Sequence, residues 1–136
     1  MLKKVIKYTD YNGVEREEPK YFNLSKAEIM EMELSTVGGF AEMIEKVVKA
    51  QDIPTIVSVF KEIILKAYGE KSPDGKRFIK VSNGVRLADE FAETEAYSVL
   101  FMELATNAEE AAAFVNGIVP EDVAQEAKIK NMLPVT

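Results

Sequence analysis

From Ser25 onward the apolar residues recur every three or four positions, the spacing of one face of an α-helix. The first 23 residues differ, with β-branched and aromatic side chains set among Lys and Glu on either side of Asn12-Gly13. Asn and Gly tolerate the positive φ angles of a two-residue hairpin turn. The expected hairpin therefore spans about 2–8 and 14–22, with Tyr11 facing Val14 and Lys7 opposite Glu18. Leu24-Ser25-Lys26-Ala27-Glu28-Ile29 then marks a helix start. The Ser25 hydroxyl can cap it, the Glu28 carboxylate can reach back to the Ser25 amide, and Leu24 can staple onto Ile29. This helix is expected to run to about Leu34, where Ser35-Thr36-Val37-Gly38-Gly39 breaks it.

Phe40, Met43, Ile44, Val47 and Val48 place a second helix ending near Ala50. Asp52 caps a third, Pro54 sits harmlessly in its first turn, and Ile56, Val57, Phe60, Ile63, Ile64 and Ala67 form its apolar face until Gly69 stops it. Residues 70–84 read as a connection. Within it, Ser72-Pro73-Asp74-Gly75 has the residue order of a β-turn. Val85, Leu87, Ala88 and Phe91 suggest a short fourth helix, and Thr94 starts a fifth carrying Tyr97, Leu100, Phe101 and Leu104. Thr106 or Asn107 caps a sixth that ends at Gly117, and Pro120-Glu121-Asp122 opens a last one. Residues 126–136 lose the periodicity and read as a frayed or extended tail. The expected fold is mainly α, a compact bundle of six or seven short helices with a small N-terminal β-hairpin. It forms one domain over 1–136, divided into hairpin 1–23, helical core 24–125 and tail 126–136.

Composition narrows the chemistry. The 136 residues include no Cys and no His, so disulfides, thiol nucleophiles and the usual general base of hydrolases are excluded. Acidic residues outnumber basic ones 23 to 17, a net charge of -6 that opposes neutralising nucleic-acid phosphates. The longest apolar runs are far below the ~20 residues of a bilayer crossing, and no apolar signal core follows Lys4. A soluble cytosolic protein that binds neither nucleic acid nor membrane is expected.

Three features invite a functional reading. GEKSPDGK resembles a phosphate-binding loop, but Gly69 and Gly75 enclose five residues instead of four. Arg77 stands where the metal-binding hydroxyl belongs, and the segment before Gly69 is helical where a strand is required. Glu28, Glu31 and Glu33, like Glu90, Glu93 and Glu95, alternate with apolar positions as on a solvated helix face. They suggest neither acid–base nor metal chemistry. No catalytic, cofactor-binding or metal-binding residue is therefore expected, and the protein reads as a non-enzyme. The helix from 94 to 105 spreads Tyr97, Val99, Leu100, Phe101, Met102 and Leu104 around more of its circumference than one stripe. Such a helix is either surrounded by core or awaits a partner. Tyr97, Leu100, Phe101 and Met102, with Phe114 on the next helix, are the candidate partner-binding residues, for a client or for self-association.

Three blocks, YFNLSKAEI, FKEIILKAYGEKSPDGKRFIK and AETEAYSVLFMELATNAEEAAAFVNGIVPEDVA, resemble the tail assembly chaperones of long-tailed bacteriophages, particularly those of Gram-positive hosts. The similarity runs from about Lys4 to Ala124. It implies a helical, non-enzymatic protein of the host bacterial cytoplasm that keeps the tape measure protein soluble while tail tube subunits polymerise around it, and that is left out of the finished virion. It transfers no catalytic residue. Two alternatives are a structural tail or head–tail connector component and a small DNA-binding regulator. The regulator would need a basic recognition helix, and none is predicted.

Overall fold

The chain reverses after its first strand through Asp10-Tyr11-Asn12-Gly13, with a different geometry from the expected two-residue turn. The computed structural model describes residues 1–35 and 53–120. Strand β1 (Leu2–Thr9) pairs antiparallel with β2 (Glu15–Phe22), and Lys7 lies opposite Glu17, one residue away from the expected partner. The Asp10 carboxylate accepts from the amides of Asn12 and Val14, both at 2.9 Å, and within this turn only Gly13 takes a positive φ, of 80°. Asp10 and Val14 thus close a three-residue loop with Gly at its left-handed position, and the added residue shifts the register by one.

The helices that follow are α1 (Lys26–Ser35), α2 (Ile53–Ala67), α3 (Leu87–Ala92), α4 (Glu95–Thr106) and α5 (Ala108–Ile118). The capping box of α1 forms as expected, with the Glu28 amide donating to Ser25 Oγ at 3.1 Å and the Ser25 amide to Glu28 Oε1 at 2.9 Å. Thr94 caps α4, and Asn107 caps α5 by accepting from the amides of Glu109 and Glu110. The expected helix over Phe40 to Ala50, the Asp52 cap, the helix opening at Glu121-Asp122 and the 126–136 tail lie outside the described residues.

The expectation of a mainly α bundle is overturned between α2 and α3. Residues 70–84 are no simple connection: β3 (Tyr68–Lys71), β4 (Phe78–Ile79), β5 (Val81–Ser82) and β6 (Val85–Arg86) follow directly on α2. The described residues form five helices and two antiparallel sheets, one of four strands in the order β1-β2-β3-β4 and one of two, β5-β6. The hairpin is therefore half of a larger sheet, and the fold mixes α and β. Phe22 pairs with Tyr68 and Tyr21 with Gly69, while the Asn23 amide donates to the Ala67 carbonyl at 2.8 Å. Gly69 is a close-approach residue and no helix stop: a Cβ there would lie 2.6 Å from the Ile79 carbonyl oxygen and 2.6 Å from the Phe78 ring.

Phe22 carries the sheet into the core. Its ring meets Tyr68, Phe91 and Phe114 edge-on at 5.6, 5.9 and 5.1 Å between centroids, and Tyr68 stacks on Phe91 at 4.2 Å. Phe60, Ile63, Ile64, Leu100, Leu104 and Ile118 are buried around this group. Two polar ties complete the joint between sheet and helices. The Leu24 amide donates to the Ile118 carbonyl at 2.7 Å, and the Lys4 ammonium bridges Glu103 on α4 (2.7 Å) and Glu110 on α5 (3.4 Å).

Candidate functional surface on α4 and the hairpin

The phosphate-loop question is answered by the hydrogen bonds of the β3–β4 turn. The Gly75 amide donates to the Ser72 carbonyl at 2.9 Å, the Lys76 amide to Asp74 Oδ1 at 3.0 Å and the Arg77 amide to Ser72 Oγ at 3.0 Å. These amides are engaged within the loop, so they do not converge on an anion. Asp74 accepts from Ser72 Oγ at 2.6 Å, and these bonds hold its carboxyl below the usual carboxylate range. The sequence Ser72-Pro73-Asp74-Gly75 is thus a β-turn, as its residue order suggests.

The cleft beside Lys80, about 500 Å³ in volume, is lined by Leu24, Glu28, Met32, Leu65 and Tyr68 among others. Three cations line it, Lys66, Lys80 and Arg86, and Lys80 is held from within: its Nζ donates to the carbonyls of Asn23 (2.9 Å) and Lys66 (2.6 Å) and to the Glu28 carboxylate. Among the described residues no group of three acidic side chains is placed to hold a metal. No described helix is long and apolar enough to cross a membrane.

Helix α4 holds most of the candidate contact residues, and the structure separates them by depth. Leu100 is fully buried beside Ala96 and Leu104, and Phe114 is 2% exposed against Phe22. Both are core side chains. Tyr97 and Phe101 are half-buried on the flank of the core, Tyr97 edge-on to Phe91 at 5.8 Å and tilted against Phe101 at 5.9 Å. Burial pushes the Tyr97 hydroxyl pKa up. Met102 alone of the five stands out in solvent, 58% exposed, with Val99 beside it at 39%. The breadth of the apolar pattern thus combines one buried ridge, one aromatic flank and a small exposed patch.

The orientation of α4 follows from its acids. Glu95, Val99 and Glu103 form an i, i+4 row. Glu103 binds Lys4 near the start of β1, and Glu95 accepts from the Tyr11 hydroxyl at the hairpin tip, which raises that hydroxyl's pKa. The helix therefore runs alongside β1, and Val99 sits between the two anchors. Sequence reasoning missed this juxtaposition because the partners lie far apart in the chain, 99 residues for Lys4 and Glu103. It also missed β5-β6, whose signal was present. Asn83 (φ 53°) and Gly84 (φ 78°) form a two-residue turn between Ser82 and Val85, the geometry expected instead at Asn12-Gly13.

Comparison with known proteins identifies the family. No curated protein and no solved structure is detectably similar to this chain. A family model described as phage tail assembly chaperone matches residues 1–134, and over nearly its whole length, therefore, the chain belongs to the phage tail assembly chaperones.

Proposed function

We propose that this protein binds the tape measure protein and keeps it soluble while the tail tube polymerises around it, acting without catalysis in the host cytoplasm and leaving before the virion is complete. The family match over residues 1–134 carries the reading. The surface supports it in kind. A holding protein needs some exposed apolar area and a like-charged coat that keeps the complex dispersed. Val99 and Met102 supply the first, and a net charge of -6 supplies the second.

Co-expression of the cognate tape measure protein with this chain tests the proposal. Soluble complex is expected with the wild type. Met102→Asp should leave the fold within ~0.5 kcal/mol of wild type, as for an exposed position, yet recover less complex. Leu100→Asp should unfold the chain, because burying an unpaired charge costs several kcal/mol. A tape measure protein that stays insoluble beside folded wild-type chain would remove the assignment. Undiminished complex with Met102→Asp would remove α4 from the contact.

A further inference from the structure

Strand β1 has a neighbour on one side only. Among the described residues β2 lies against it, and no strand occupies its other edge. The eight pairs of the β1–β2 ladder keep one register from Leu2↔Phe22 to Thr9↔Glu15, without a bulge. At its closed end the Asp10 amide donates to the Val14 carbonyl at 2.9 Å, which makes the even-numbered pairs the hydrogen-bonded ones. The same parity appears on β2, whose far side turns Tyr21 toward Gly69. It follows that the amides and carbonyls of Lys3, Val5, Lys7 and Thr9 point to the unoccupied edge. All four residues are exposed, and β1 contains no proline.

Natural sheets blunt such edges with bulges, prolines and charges. Here only charge is present, and it has one sign: β1 carries Lys3 and Lys7 on its outer face and no acidic residue. A second copy of β1 would bring like charges together. An acidic strand would meet opposite ones. Helix α4, held against β1 through Lys4–Glu103 and Tyr11–Glu95, carries the exposed Val99 and Met102, which the inward-facing side chains of an added strand would cover. We infer that the free edge of β1 accepts an extended segment of a client protein by strand addition, the segment carrying two acidic side chains four residues apart with apolar residues between them. Main-chain hydrogen bonds would supply affinity, while Lys3 and Lys7 outside and Val99 and Met102 inside would select the sequence. The inference deepens the client-binding reading and rests on it only for the identity of the client.

The probe is a synthetic peptide with two glutamates four residues apart, valines between them and threonines at the ends. It is added to the full-length isotope-labelled chain while amide exchange is followed residue by residue. Exchange at Lys3, Val5, Lys7 and Thr9 should slow by about tenfold or more at saturation, with the even-numbered amides of β1 unchanged. A peptide with lysines in place of the glutamates should bind roughly tenfold more weakly, from two cross-strand charge pairs, and the variant Lys3→Glu with Lys7→Glu should reverse that preference. The inference fails if millimolar acidic peptide protects none of these amides, or if both peptides protect them equally. It fails also if they become protected at high chain concentration without peptide, which would seat a second copy on the edge. A chain that ignores the peptides yet solubilises the tape measure protein would sink this inference and leave the proposed function standing.

Discussion

Lys80 ties three segments together. Its ammonium reaches the Asn23 carbonyl between β2 and α1, the Lys66 carbonyl at the end of α2 and the Glu28 carboxylate of the capping box. It satisfies a helix C-terminus with a cation, the sign that the helix dipole favours. Burial pushes the Glu28 carboxyl upward, but Lys80 and the Ser25 amide pull harder the other way and leave it below its ordinary value of 4.5. A depressed carboxylate stabilises the fold above its unfolded-state pKa, and that contribution is lost as pH falls through the folded value. Acid titration of stability should therefore show a decline beginning near pH 4.5 that is shallower in Glu28→Gln, measured by urea unfolding across pH 3–6. Lys80→Met should cost roughly 1.5–3 kcal/mol at neutral pH, because two backbone carbonyls lose a charged donor. Equal stability of Lys80→Met and wild type would mean that solvent replaces the ammonium fully.

Among the elements, β3 shows how little sequence a strand needs when its neighbours are in place. Tyr68-Gly69-Glu70-Lys71 has no alternation to announce it, and it follows α2 with no intervening residue. It exists because Phe22 and Tyr21 offer a ladder on one side and Phe78-Ile79 on the other, with the Phe78 ring lying over Gly69. An aromatic ring covering a strand glycine restores contacts that the missing side chain gives up. Gly69→Ala would place its methyl against a backbone oxygen and that ring, so the strand must shift. A loss of about 1–3 kcal/mol is expected from such overpacking, read as a lower denaturation midpoint with little change in helicity. The helices were far more legible. Ser25 with Glu28 and Thr94 mark α1 and α4 through contacts three residues away, and of the two candidates for α5, Thr106 and Asn107, it is Asn107 that caps. The two Asn-Gly pairs show the limit of such local reading. Asn83-Gly84 makes the two-residue turn, whereas Asp10 captures two amides and converts Asn12-Gly13 into a longer loop.

At the scale of the whole molecule, sheet and helices share one aromatic centre. Phe22 touches Tyr68, Phe91 and Phe114, so the hairpin cannot loosen without opening the helical layer. Phe22→Ala should cost about 3–5 kcal/mol and lower near- and far-ultraviolet circular dichroism transitions together, as cooperative unfolding requires. Separate transitions would show hairpin and helices to be independent. The candidate surface belongs to this scale as well. Periodicity alone left Tyr97, Leu100, Phe101, Met102 and Phe114 equivalent. Packing made Leu100 and Phe114 core, half-buried Tyr97 and Phe101, and exposed Met102. By itself the sequence determined the α1, α4 and α5 starts, the presence of an N-terminal hairpin and the acidic coat, since these depend on composition or on residues within one turn of each other. The hairpin register turned on the local capture of two amides by Asp10, but tertiary structure decided the four-strand sheet and the placement of α4 beside β1. Those depend on pairings such as Lys4 with Glu103 and Tyr21 with Gly69, whose partners lie far apart in the chain and leave no mark on the local pattern.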